Sequence, residues 1–319
     1  MVKRLQYSVH KSCNQFRWDK MGLILEKVSK KFGKFTAVHP LTLKIPEREM
    51  FGFLGGNGAG KTTTFRMILG LIDATSGSIT WNGKTLNHQT SNLVGYLPEE
   101  RGLYPNLKVK EQLIYLGRLR GMSKSDAESE IIKWLDIFEI PQYLNQKVEE
   151  LSKGNQQKIQ FISSVLHKPE LLILDEPFSG LDPLNVEMLK KAIYDLKELG
   201  TTIIFSSHQM SHVEEMCENL CILQKGRAVV QGNLDEIKHE YGKKNLVIHA
   251  DSNLEYLKDI PGVVTYKQLR NGCELQIENE EVAKLVFSKL ESTQFIKKFD
   301  LEEPTLNDIF IEKVGADYE

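Results

Sequence analysis

No apolar run in this sequence approaches the ~20 residues that a bilayer-spanning helix needs; "LLIL" at 171–174 is among the longest. The chain is therefore not expected to span a membrane itself. Cysteine is scarce too: Cys13, Cys217, Cys221 and Cys273 form neither a dense disulfide framework nor a CxxC pair, which suits a reducing cytoplasm. Nor does one sign of charge dominate, since 41 Lys and Arg stand against 43 Asp and Glu. No global field draws such a chain to DNA, RNA or anionic lipid, so any anion must be held locally. Low-complexity linkers and long-range repeats are also missing.

What is present suits roughly two domains with sizeable cores, given 319 residues. The first twenty residues carry Lys3, Arg4, Lys11, Arg17 and Lys20 against Asp19, with no apolar core of signal-peptide length. They read as a disordered tail, or as the product of a start codon upstream of a natural beginning at Met21, and are set apart from the fold. From "LILEKVSKKF" onward, short apolar strands lead to a strand at Met50 to Leu54, a glycine loop and an apolar helix. Residues ~107 to ~167 show helical spacing with frequent charges, a helical subdomain. "LLILDEP" and "TTIIFSSH" then read as buried parallel strands joined by a helical crossover, and "CILQKGRAVVQG" closes a first α/β domain over 21–236. Over 237–319 the pattern becomes βαββαβα, with helices expected at "NLEYLKDIPG", "EEVAKLVFSKLES" and "TLNDIFIEKV". That order suits a small α+β, ferredoxin-like module for binding or regulation.

Gly55 to Thr62, "GGNGAGKT", matches G-x-x-x-x-G-K-[ST] between a strand and a helix. Glycines there let backbone N–H groups converge on phosphate oxygens, and the helix N-terminus adds its dipole. In this reading Gly55, Gly56, Asn57, Gly58, Ala59, Gly60, Lys61, Thr62 and Thr63 hold a nucleotide. Lys61 neutralises its β/γ-phosphates, and the Thr62 hydroxyl holds Mg²⁺. Asp175 and Glu176 end the strand "LLILD"; adjacent carboxylates there are costly unless a cation or a reacting water uses them. Asp175 is assigned to Mg²⁺ and Glu176 to general base catalysis. The same pair could instead be a solvated strand end capping the next helix. His208, closing "TTIIFSSH", reaches the γ-phosphate from the same sheet edge.

Taken together, the phosphate loop, "LSKGN" at 151–155, "ILDEP", "SGLD" at 179–182 and His208 resemble, in order and spacing, the ATP-binding-cassette (ABC) ATPases over about Leu23 to Gly232. With "GYLPEERGLYP" and "LSKGNQQK", the chain looks most similar to ATP-binding subunits of bacterial ABC exporters, including the sodium-extruding type. The resemblance implies a P-loop NTPase core binding ATP and Mg²⁺, and head-to-tail pairing with a second copy or a homologous ATPase subunit. It further implies that Ser152, Gly154 and Asn155 meet the γ-phosphate held by the partner, that Asp182 couples the two sites, and that Phe32 stacks on adenine. A separate integral membrane permease would seat the protein on the cytoplasmic face of the membrane, beside Leu103 and Tyr104, apolar residues in a charged loop that could equally pack onto the helical subdomain; no nucleic-acid partner is implied. Two departures stand out. The signature reads LSKGN rather than LSGGQ, adding Lys153, and the loop that usually offers Gln to Mg²⁺ reads "LPEE", putting Glu99 there. A soluble ABC ATPase acting on DNA or ribosomes, and a nucleotide-dependent regulator with little turnover, are the rival readings.

"FSSHQMSHVEEMCENLC" also invites a zinc reading through His208, His212, Cys217 and Cys221, but zinc sites usually show tighter pairs and Cys221 opens an apolar strand. Elemental analysis of protein purified without added zinc is expected to find no stoichiometric transition metal. One zinc per chain, lost on changing His212 and Cys217, reverses that assignment.

Overall fold

The computed structural model of the chain describes residues 22–86, 92–100, 102–290 and 295–315. The tail expected over 1–20 with its Cys13, Arg101 of the "ERGLYPNLKV" loop, and Glu291 and Ser292 at the end of an expected helix lie outside the described residues.

An antiparallel sheet is built from β1 (Leu23–Phe32), β2 (Phe35–Ile45), β4 (Ser76–Trp81) and β5 (Lys84–Thr85), in the order β2-β1-β4-β5. Beside it lies a six-stranded sheet of β3 (Met50–Leu54), β6 (Val94–Leu97), β7 (Leu171–Asp175), β8 (Thr202–Ser206), β9 (Asn219–Gln224) and β10 (Arg227–Asn233). Its order is β10-β9-β3-β8-β7-β6, with only β10 antiparallel to its neighbour.

Every residue of β3, β7 and β8 is buried, as expected of parallel strands covered on both faces. The period-two alternation of side chains divides them between two cores. Leu171, Ile173 and Ile204 join the cluster that holds Phe53 and Phe65, below helix α1 (Lys61–Ile68). Leu172, Leu174, Ile203 and Phe205 join the opposite cluster, which reaches into the helical subdomain. That subdomain consists of α2 (Val109–Leu119), α3 (Lys124–Ile137) and α4 (Lys153–Val165). Trp134, Phe138 and Phe161 pin it together with ring centroids 5.8–5.9 Å apart, a spacing at which edge-to-face and offset pairs attract. The crossover from β7 to β8 is α5 (Pro183–Glu198), and α6 (Met210–Met216) follows β8.

Helix α7 (Leu234–Tyr241) spans the expected boundary at 236 and leads to a second antiparallel sheet of β11 (Lys244–Ala250), β12 (Val263–Leu269), β13 (Gly272–Ile277) and β14 (Ile296–Glu302). Its order, β12-β13-β11-β14, sets β11 between β13 and β14 and keeps only β12 and β13 as sequence neighbours side by side, in the manner of a ferredoxin-like module. Helix α8 (Glu280–Lys289) covers one face through Val282, Ala283 and Val286. One element differs from expectation. "NLEYLKDIPG" forms only a 3₁₀ segment, Glu255–Asp259, because Pro261 restricts Ile260 to extended backbone and so few residues cannot repay helix nucleation.

The last helix, α9 (Leu306–Gly315), belongs to the first domain's core as much as to the second domain. Leu306 is fully buried in the cluster shared with α4 and α5, and its N–H donates to Glu214 Oε1 of α6 at 2.8 Å. Lys238 of α7 donates to the same oxygen at 2.7 Å. Leu306→Ala is therefore expected to lower stability by about 2–5 kcal/mol through the cavity it leaves, read as a lower urea midpoint. Phe287→Ala, at an exposed ring, should move the midpoint far less; equal shifts would show that α9 does not help hold the first domain.

Candidate functional site

The C-terminal ends of β3, β6, β7 and β8 open on one edge of the large sheet, where ligands of open α/β sheets gather. β3 delivers the phosphate loop. Gly55 has φ 150°, and a Cβ there would sit 2.5 Å from the Leu223 carbonyl oxygen. Gly60, the N-cap of α1, has φ 105°, and a Cβ would lie 2.9 Å from the Ala37 carbonyl oxygen. Only glycine fits either position without backbone movement. Asn57 and Gly58 are exposed, Ala59 is buried, and Gly56, Lys61, Thr62 and Thr63 are half-buried. The Lys61 ammonium donates to the Gly55 carbonyl at 2.6 Å and reaches that of Gly56 at 3.4 Å.

β7 delivers the carboxylates. Because Leu171 and Ile173 face α1, so does Asp175, two residues further along. It is 1% exposed, accepts from Thr62 Oγ1 at 3.2 Å through Oδ2, and from Ser206 Oγ at 2.6 Å through Oδ1. A hydroxyl and a carboxylate in contact at the end of a phosphate loop are the hard oxygen donors that suit Mg²⁺. Glu176, 7% exposed, turns the chain through a left-handed φ of 52°. His208 Nδ1 lies 2.7 Å from Glu176 Oε2, while the rest of the His208 side chain is open to solvent. Glu99 stands exposed two residues beyond the register pair Leu97↔Leu174, on the same edge.

The segment Ser152–Asn155 is positioned differently. Ser152 caps α4, its hydroxyl accepting from the Asn155 N–H at 3.3 Å. The neighbours of Gly154 are Asn185 and Leu181, so this helix start lies against the start of α5, which Asp182 caps by accepting from the Asn185 N–H at 3.0 Å. That bond, and a second from the Asn185 side chain, hold the Asp182 carboxyl below the usual carboxylate range. The site edge thus gathers Thr62, Asp175, Glu176 and His208, whereas Ser152, Gly154, Asn155 and Asp182 form a separate cluster. Phe32 pairs with Phe35 across the β1–β2 hairpin; both rings are exposed, and Lys30 Nζ sits 5.1 Å from the Phe32 centroid.

Three residues not singled out in the sequence bind these parts together. Ser206 touches both carboxylate residues, since it also accepts from the Glu176 N–H at 3.1 Å. Gln157 of α4 donates to the Pro177 carbonyl at 3.1 Å, and Gln160 donates to those of Pro98 and Glu100 at 3.3 and 3.0 Å. A polar residue on the buried face of an amphipathic helix was the available signal, because such a group needs a partner. As for zinc, among the described residues no group of three or more His, Cys, Asp or Glu is placed to hold a metal ion. His212 stacks edge-on against Phe178 at 4.7 Å, and burial pushes the Cys221 thiol up to about 12. No helix among the described residues is long and apolar enough to cross a membrane.

A family model described as ABC transporter matches residues 38–179, and one described as the C-terminal domain of DrrA1-3-like ATP-binding proteins matches 232–314. The chain is 62% identical to the ABC transporter ATP-binding protein YhaQ of Bacillus subtilis, over 93% of this chain and 100% of that one. It is 30% identical to the linearmycin resistance ATP-binding protein LnrL of the same organism, over 91% and 97%. A solved ATP-binding subunit of an ABC transporter, 31% identical, superposes with a TM-score of 0.65 over 69% of this chain and 93% of the other. Identity at this level along nearly the full length of both chains decides membership: the chain belongs to the ABC transporter ATP-binding proteins, the ATP-hydrolysing subunits of these transporters.

Proposed function

We propose that this subunit hydrolyses Mg-ATP in a head-to-tail dimer and thereby drives export through a separate membrane permease. The observation that carries the reading is the buried Asp175–Glu176 pair, with Asp175 bonded to the phosphate-loop Thr62 and Glu176 to His208. The backbone N–H groups of Gly56 to Thr63 and the Lys61 ammonium hold the β- and γ-phosphates, and Phe32 covers the adenine. Thr62, Asp175 and Glu99 would hold Mg²⁺, which supplies neutralising charge at the phosphates when bound. Glu176 takes the proton of the attacking water; a carboxylate accepts at two oxygens, so His208 can occupy one while the other receives it. His208 orients Glu176 and reaches the γ-phosphate from its solvent-exposed side.

Pairing with a second copy or a homologous subunit would complete each site from outside. Ser152, Gly154 and Asn155 form a solvent-accessible, capped helix start packed against the start of α5, the kind of surface such pairing requires. Lys153 adds positive charge there, and Asp182 lies alongside to couple the sites. The permease would dock beside Tyr104, which is 55% exposed, with Leu103 packed beneath it on the helical subdomain. This would place the subunit on the cytoplasmic face of the membrane. Export agrees with the resistance function in the name of the linearmycin relative. The C-terminal domain, whose DrrA-like match covers 232–314, is assigned to binding or regulation.

Glu176→Gln is expected to keep ATP affinity while cutting turnover roughly 10²–10⁴-fold, since the amide cannot take the proton, and an ATP-bound dimer should accumulate. Unchanged turnover in a purified variant that binds ATP would remove Glu176 from the mechanism. Ser152→Arg should leave nucleotide binding by the isolated subunit nearly intact and abolish ATP-dependent dimerisation. Mixing it with Lys61→Ala subunits should restore some pairing, detectable by light scattering, because one composite site is then built from intact halves. If Ser152→Arg weakens monomer binding as severely as Lys61→Ala, the segment acts within its own chain or only supports the fold, and the reading in trans fails.

A further inference from the structure

We propose that Ser206 is a positioning residue of the ATPase site, its single hydroxyl setting both the carboxylate that faces the metal and the backbone that aims the general base. The parallel register pairs Asp175 directly with Ser206, so both side chains emerge on the face toward α1. Ser206 is fully buried. Its O–H donates to Asp175 Oδ1 at 2.6 Å and leaves Oδ2 toward Thr62. The same oxygen accepts the Glu176 N–H at 3.1 Å, and the Ser206 carbonyl accepts that N–H at 3.3 Å.

Glu176 needs this support. A non-glycine residue held at φ 52° costs about 1–3 kcal/mol and persists only where its surroundings over-determine it. Here the N–H side of the turn is held by the pair of acceptors on Ser206, two residues before His208, and the carbonyl side by the Ser179 N–H at 3.1 Å. One serine at the end of β8 therefore fixes the rotation of Asp175, the turn at Glu176, and the origin of the short segment that carries His208 to Glu176. Removing the hydroxyl leaves a buried carboxylate oxygen short of its donor, and burial makes such a loss expensive. Asp175 is then free to rotate away from Thr62.

The inference rests on the assignment of Asp175 to the metal and Glu176 to the water, and the experiment separates the two. Full-length Ser206→Ala, Ser206→Thr, Ser207→Ala and Asp175→Asn would be compared in three measurements. These are ATP binding in EDTA, Mn²⁺ binding counted by EPR with a non-hydrolysable ATP analogue bound, and steady-state turnover. Mn²⁺ uses the same oxygen ligands as Mg²⁺. Ser206→Ala should bind ATP in EDTA like the wild type, yet lose roughly 10–100-fold in Mn²⁺ affinity and in kcat, the usual penalty for a group that orients a ligand. Ser206→Thr, which keeps the hydroxyl, should recover most of both, and Ser207→Ala, which loses only the hydroxyl that accepts the Gln209 N–H at 3.0 Å, should leave Mn²⁺ affinity unchanged. Wild-type Mn²⁺ affinity and kcat in Ser206→Ala, alongside metal loss in Asp175→Asn, would overturn the role of Ser206 alone. Loss of EDTA-state ATP binding together with a lower melting temperature, not recovered by threonine, would make Ser206 a packing residue and overturn it as well. Wild-type Mn²⁺ affinity in Asp175→Asn would overturn the metal assignment and the metal half of this proposal with it.

Discussion

Two adjacent carboxylates at the end of a wholly apolar strand are the constraint around which this molecule is arranged. β7 is buried along its length, and an unpartnered ionised carboxylate in such surroundings is prohibitive. Asp175 and Glu176 must therefore be met by donors, and each comes from a different neighbour in the fold. Thr62 arrives from the helix after β3, Ser206 from the parallel strand beside β7, and His208 from the turn beyond it. The parallel sheet makes this possible because all its strands end at one edge. The period-two alternation then decides which carboxylate faces the phosphate loop.

Helix α4 extends the same constraint outward. Its first turn is solvent-accessible and capped by Ser152, while its buried face carries Gln157, Lys158 and Gln160. The two glutamines are hydrogen-bonded to the main chain just after Glu176 and on either side of Glu99. Lys158, whose ammonium meets the Phe138 carbonyl at 3.4 Å, is pushed down by burial against the opposing charges of Asp182 and Glu139. A rotation of α4 about its start cannot leave the carboxylate loops in place, because the bonds are to their backbones. The helix that presents "LSKGN" to the outside is in this sense continuous with the chain's own site.

The parts legible in the sequence were those encoded by local order. A strand, a glycine loop and a helix in succession define the phosphate loop, and "LLILD" announces a buried parallel strand by its unbroken apolar run. Ser206 was not legible, because a serine ending an apolar strand looks the same whether or not an aspartate stands beside it, and only the register Asp175↔Ser206 distinguishes the cases. Gln157 and Gln160 were concealed for a related reason: their carbonyl partners lie 20 and about 60 residues away. The helix expected at "NLEYLKDIPG" is cut to a 3₁₀ segment by a local rule, the restriction that Pro261 places on the residue before it.

The C-terminal helix shows how far such non-local placement reaches. A division of the chain at 236 follows the change in pattern along the sequence, yet α9, the final described helix, inserts Leu306 into the first domain's core. Its first N–H and Lys238 converge on one oxygen of Glu214, in the short helix that begins two residues after His208. A carboxylate so shared ties α6 to α7 and to α9 at once, and the Leu306 contact holds only while α9 stays seated. Withdrawing α9 would expose Leu306 and Ile309, both essentially without solvent contact, and leave α6 with Lys238 alone at that oxygen. The packing of the accessory domain and the support of the histidine-bearing segment are thus one structural unit, joined by apolar burial and completed by a charged hydrogen bond.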